Sequence, residues 1–181
     1  MQELTAEQAI SFLHSYLGAL KSESRITKDI LAAVPADQAE YRPDPVSKSA
    51  IELVRHIANA DNRFVEAVTT GVFNPAGGIP DTAKTPPEIA AWYEERHAKN
   101  LEALMQATSE QLVKMVDFRG LAQRPAVTFL MMGLHHTIHH RGQLSSDLRC
   151  MGAKVPAIYG ESYDSAQAKT AAQADGTAQR A

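Results

Sequence analysis

Apolar residues recur every three or four positions along four long stretches, and no stretch sustains the two-residue alternation of a half-buried strand. The first stretch, Ala6 to Val34, carries Ile10, Leu13, Leu17 and Leu20 on one stripe; Thr5 suits its N-cap and Pro35 its stop. The prolines of Tyr41-Arg42-Pro43-Asp44-Pro45 make the following segment a loop. A second helix is predicted from near Ser47 to Gly71, with Leu53, Ile57, Ala60, Phe64 and Val68 inward and His56 in the same face. Pro75, Gly77, Gly78 and Pro80 then mark a long connection. Thr85-Pro86-Pro87-Glu88 has the form of a capping box with proline at the first helical position, and opens a third helix. Tyr93, Leu101 and Leu104 mark its inward side.

Thr108 to Gly120 reads as a turn or short helix. Pro125 suits the first turn of a fourth helix that runs to about Met151 and stops at Gly152. Phe129, Met132, His136, His140 and Leu144 share its inner side. Four long helices without strands predict an all-α four-helix bundle with long connections, occupying residues 1–158. The remainder, 159–181, is polar and small, and is expected to be poorly ordered or weakly helical.

Composition narrows the functional classes. The 181-residue chain carries a net charge of −3 with its basic residues scattered, which disfavours nucleic acid and anionic membranes as partners. The start, Met1-Gln2-Glu3-Leu4-Thr5, lacks a signal-peptide pattern, and the apolar run Ala126 to Leu134 is too short to span a bilayer. A single cysteine, Cys150, excludes an internal disulfide framework and fits a reducing cytoplasm. It is expected to be a small buried hydrophobe.

Four of the seven histidines crowd into residues 134–141, and residues four apart on a helix have Cβ atoms about 5–6 Å apart. Both His135/His139 and His136/His140 are therefore spaced to chelate. The helix phase turns His136 and His140 inward and leaves the other pair about 100° away, on the flank. His56, on the inward stripe of the second helix, is the best third ligand. Three neutral imidazoles would leave positions open for water or substrate, as in a catalytic metal site. Zinc, nickel, copper and iron all accept such ligands. His97 is a candidate supporting group and His14 a boundary residue. Gly142 is read as a point of close helix approach, and Gln143 as a residue that contacts a ligand or metal-bound water.

The run His135-His136-Thr137-Ile138-His139-His140-Arg141-Gly142-Gln143-Leu144 resembles the signature of the DinB-like family of metal-dependent four-helix bundles. Tyr41 to Pro45, Glu52 to His56 and Arg149 to Pro156 also resemble its members, so the likeness spans roughly residues 5 to 160. It implies a bundle with a long crossover, a divalent ion (zinc or nickel foremost) on His56, His136 and His140, and a homodimer. Characterised relatives transfer low-molecular-weight thiols, as bacillithiol transferases do, or are mycothiol-dependent maleylpyruvate isomerases. The resemblance thus implies a transferase that presents a small thiol to an electrophilic substrate. Two alternatives stand beside it: a metal-dependent hydrolase with Asp147 as general base, and a non-catalytic metal-stabilised stress-response or binding module.

Overall fold

The computed structural model describes residues 4–73 and 77–178. Met1, Gln2, Glu3 and Pro75, which entered the sequence reading, lie outside them. The main helices are α1 (Ala6–Ala32), α2 (Ala50–Thr70), α3 (Pro86–Met105) and α5 (Thr128–Cys150), with a short α4 (Ser109–Val113) and a C-terminal α6 (Tyr163–Ala178). Capping residues define their starts. Thr5 and Gln8 exchange bonds of 2.9 and 3.2 Å, and Ser49 and Glu52 do so at the head of α2. The Glu88 carboxylate accepts from the backbone N–H groups of Lys84 and Thr85. Gly71 ends α2 at φ 71°, a left-handed conformation that glycine adopts without steric cost.

Two apolar clusters reveal how the helices run. One joins the C-terminal part of α1 (Ile30, Leu31) to the N-terminal parts of α2 (Leu53, Ile57) and α3 (Ile89), and to Leu144 and Leu148 of α5. The other joins Leu13 of α1 to Phe64 and Val68, Leu101 and Leu104, and Phe129 and Leu130. Hence α1 and α5 point one way, α2 and α3 the other. Each of α1 and α2 packs on both α3 and α5, so α1 faces α2 across the diagonal. Parallel neighbours α2 and α3 need the long crossover that the prolines and glycines after Gly71 supply. The bundle is all-α, as the periodicity predicts.

Three details differ from the sequence reading, and the tail takes one of the two forms expected. Met115–Asp117 and Gln123–Pro125 pair as an antiparallel hairpin, β1 and β2, with Val116 buried beneath it. Three-residue strands are too short to show a period. Pro125 closes β2, and α5 starts three residues later, where the Thr128 hydroxyl donates to the Pro125 carbonyl at 2.7 Å. Ile10 is exposed, and Ala9 replaces it on the buried side of α1. In the tail, α6 realises the helical option, moored by Asp164, which accepts from Arg149 and from the Val155 backbone.

Gly133 is the point where α5 and α2 come closest. A Cβ there would lie 2.6 Å from Cβ of Phe64, nearer than side chains approach. Gly142, predicted to be such a contact, is exposed with nothing within 4 Å of a Cβ. The expectation put the close approach one face too far round the helix.

Candidate metal centre

The close approach at Gly133 brings α2 and α5 together where each carries histidine. His56 Nε2 lies 3.0 Å from His140 Nε2 and 3.0 Å from His136 Nε2. The three rings form a group whose ligand atoms all fall within 4.8 Å of one another, and among the described residues no carboxylate or thiol belongs to it. Two nitrogens bonded to one zinc at roughly 2.0–2.1 Å stand about 3 Å apart, so the observed spacing fits a shared ion. Without a cation, three nitrogen lone pairs aimed at one point would repel or need a proton between them. The set is thus fitted to hold a metal ion.

The tautomer of His140 is fixed from outside. Its Nδ1 lies 2.7 Å from Gln143 Oε1; an amide oxygen only accepts, so Nδ1 carries the proton and Nε2 keeps its lone pair. Gln143 therefore holds a ligand ring through its amide oxygen. His136 Nδ1 is buried and has no hydrogen-bond partner among the described residues, so this ring is positioned by packing, against Phe64 at 5.5 Å between centroids. Burial, then the neighbouring His140 and His136 charges, lower the His56 pKa to about 4. Burial and then His140 bring His136 to about 4 as well, with Asp61 acting in the opposite direction. His140 is also lowered, by burial. All three rings are neutral near neutral pH, the form that binds metal.

His135 and His139 are exposed on the flank, as the phase argument predicts, and His14 is exposed too. His136 and His140 sit beside, rather than on, the buried stripe of α5, which runs through Phe129, Gly133, Thr137, Arg141, Leu144 and Leu148. Asp147 is buried and its pKa is raised, first by burial and then by Asp44; its surroundings are Asp44 and Tyr41, and it is no member of the histidine group. Cys150 is exposed, with the Tyr41 hydroxyl against it, and not the buried hydrophobe expected. The last turn of α5 lies outside the bundle's packed zone on that side.

Beneath the triad lies a polar layer that sequence reasoning missed. Asp61, 5% exposed, accepts from the Tyr93 hydroxyl at 2.6 Å and the Thr137 hydroxyl at 3.0 Å, tying α3 and α5 to α2. Burial and then Asp61 hold the Tyr93 pKa well above its ordinary value. Asp61 follows Ile57 by four residues and precedes Phe64 by three, so its place on the apolar stripe was a usable signal. Arg141 is 1% exposed and reaches Glu23, Thr27 and Tyr159. It anchors α5 to α1, which is the role of a segment first read as a helix-contact glycine and its neighbours.

A four-helix bundle with a histidine set able to hold a metal ion is the class that this fold and site define. The chain belongs to the DinB family, whose model matches residues 5–176. It is 29% identical over 134 residues to the uncharacterised protein YjoA of Bacillus subtilis, covering 72% of this chain and 85% of that protein. The crystal structure of that DinB-like protein superposes with a TM-score of 0.68 at 26% identity, over 82% of this chain and 99% of the other. A DinB-like protein from Bacillus cereus shares the fold, with a TM-score of 0.64 at 24% identity, over 87% of this chain and all of the other. Among the described residues, no helix is long and apolar enough to cross a membrane.

Proposed function

We propose that the protein is a metal-dependent transferase that activates a low-molecular-weight thiol for attack on an electrophilic substrate. The observation that carries this reading is the convergence of three neutral imidazole nitrogens with no carboxylate among them. A divalent ion there, zinc or nickel by the proposal, would lower the pKa of a thiol and present it as thiolate, the reactive form. His56, His136 and His140 would hold the ion without adding negative charge, so its electrophilic character is retained. Gln143 keeps His140 in the binding tautomer. Lys48 and Arg63 act electrostatically on His56, and the same positive field favours an anionic sulfur or an acidic thiol. Cys150 stands outside the histidine group, so the reacting thiol is supplied by the substrate.

Hydrolysis is less well supported, because Asp147, its candidate base, has Asp44 and Tyr41 for neighbours. A homodimer in a reducing cytoplasm belongs to the same proposal, and sedimentation of the untagged chain tests the assembly. The activity test mixes purified protein, zinc or nickel, a panel of small thiols and a chromogenic aryl halide. Adduct formation above the metal-free rate, abolished by His140→Ala, is expected. Full metal loading with no adduct from any thiol would overturn the transferase reading and leave a metal-stabilised binding module.

A further inference from the structure

A buried carboxylate without a cation lies beside the histidine group. Asp61 is 5% exposed, and each of its oxygens accepts from a neutral hydroxyl, Oδ2 from Tyr93 at 2.6 Å and Oδ1 from Thr137 at 3.0 Å. Two hydroxyls donating to its two oxygens stabilise the ionised form. Among the described residues no lysine or arginine lies within 4 Å of it; the one basic nitrogen that does, His97 Nδ1 at 3.8 Å, makes no hydrogen bond to it. Arg141, the buried guanidinium nearby on α5, is already paired with Glu23. A buried charge ordinarily has a partner of opposite sign or a metal ion.

Its place in the bundle says which cation that is. Asp61 follows His56 by five residues on α2, and Thr137, which donates to it, directly follows His136 on α5. The carboxylate thus lies between the two helices that carry the ligand rings, and its field reaches His136. The triad is neutral and includes no acid, so a divalent ion there brings two positive charges that its own ligands leave uncompensated. Across a span filled by protein rather than water, opposite charges attract strongly.

We propose that Asp61, which stands outside the histidine group, is the counter-charge of the metal centre, strengthening the hold on the ion and moderating how far the ion acidifies a bound thiol. The two effects run in opposite directions. A negative charge beside the site attracts the dication, and the same charge disfavours the thiolate that forms when a bound thiol gives its proton to solvent. With a divalent ion, one thiolate and Asp61 in place the local charges cancel, since Arg141 and Glu23 already neutralise each other. The inference rests on the metal centre and not on the transferase reading, because any small thiol reports on the charge.

The test compares the full-length protein with Asp61→Asn and Thr137→Val. Zinc affinity is read by competition with a chromophoric chelator. The ionisation of bound β-mercaptoethanol, at saturating thiol, is read on the cobalt-loaded proteins from the sulfur-to-cobalt absorption against pH. Asp61→Asn removes the charge and keeps the shape; it is expected to weaken zinc by about 10–100-fold and to move the thiol ionisation lower by about one pH unit. Thr137→Val cuts the tie between α2 and α5 and keeps the charge, so its zinc affinity is expected to fall far less, with no drop in the thiol ionisation. Unchanged zinc affinity in Asp61→Asn would overturn the proposal. So would weaker zinc binding with the thiol ionisation unmoved or raised, or an equal loss in Thr137→Val, because each marks Asp61 as a structural tie alone. No metal uptake by the unaltered protein would remove the metal centre and the proposal with it, whereas absence of turnover leaves both readouts standing.

Discussion

The two sides of the central layer use the same residue type to opposite ends. Between α2 and α5, three histidines turn their Nε2 atoms toward one point, 3.0 Å apart in two pairs, with no acid among them. Between α1 and α3, His97 lies buried with both ring nitrogens unpartnered among the described residues. Converging lone pairs want a cation. Asp61 lies between the two sides, accepting from Tyr93 of α3 and Thr137 of α5 and acting electrostatically on His136. Histidine alone thus specifies nothing; the neighbours decide what it holds.

The largest expected effect breaks one side and spares the other. His136→Ala should weaken zinc affinity by more than about 100-fold, beyond the 10–100-fold typical of losing a group that merely supports a ligand. A competition titration with a chromophoric chelator measures it. Asp61→Asn attacks what the two sides share. The amide presents a donor to one of two hydroxyl donors, so the metal-free protein should lose roughly 1–3 kcal/mol in denaturant unfolding. A change near zero would show that the Tyr93 and Thr137 bonds do not couple the helices.

Two further experiments sharpen the contrast. Gln143→Ala frees the His140 tautomer and should weaken zinc affinity by about tenfold, with the melting point of the metal-free protein unchanged. The remaining contrast is a pH dependence. His56 and His136 fall from the ordinary value of 6.5 to about 4 in the folded chain, so the unfolded chain takes up protons first as pH falls. Metal-free stability should hold steady above 6.5 and decline from there toward about 4. Denaturant unfolding across that range checks it, and a flat profile would mean the rings are not desolvated.

Much of this was legible in the chain. The N-cap at Thr5, the capping box at Thr85, the glycine stop at Gly71 and the three–four period place the main helices, because each rests on local chemistry. The triad was readable because helix spacing pairs His136 with His140 and the stripe of α2 turns His56 inward. What escaped depends on contacts distant in sequence. Arg141 is buried only because Glu23 and Thr27 of α1 meet it. Gly133, rather than Gly142, admits Phe64, a distinction that requires the rotation of α5 against α2. The hairpin 115–125 was hidden by strands too short for any period.

The central claim is that histidines from two helices share one ion. Anomalous diffraction at the zinc edge, on crystals of the untagged protein grown with zinc near neutral pH, tests it most directly. One strong peak should stand roughly 2.0–2.1 Å from the Nε2 atoms of His56, His136 and His140 together. A peak held by His135 and His139, or by His136 and His140 with His56 turned away, would contradict it.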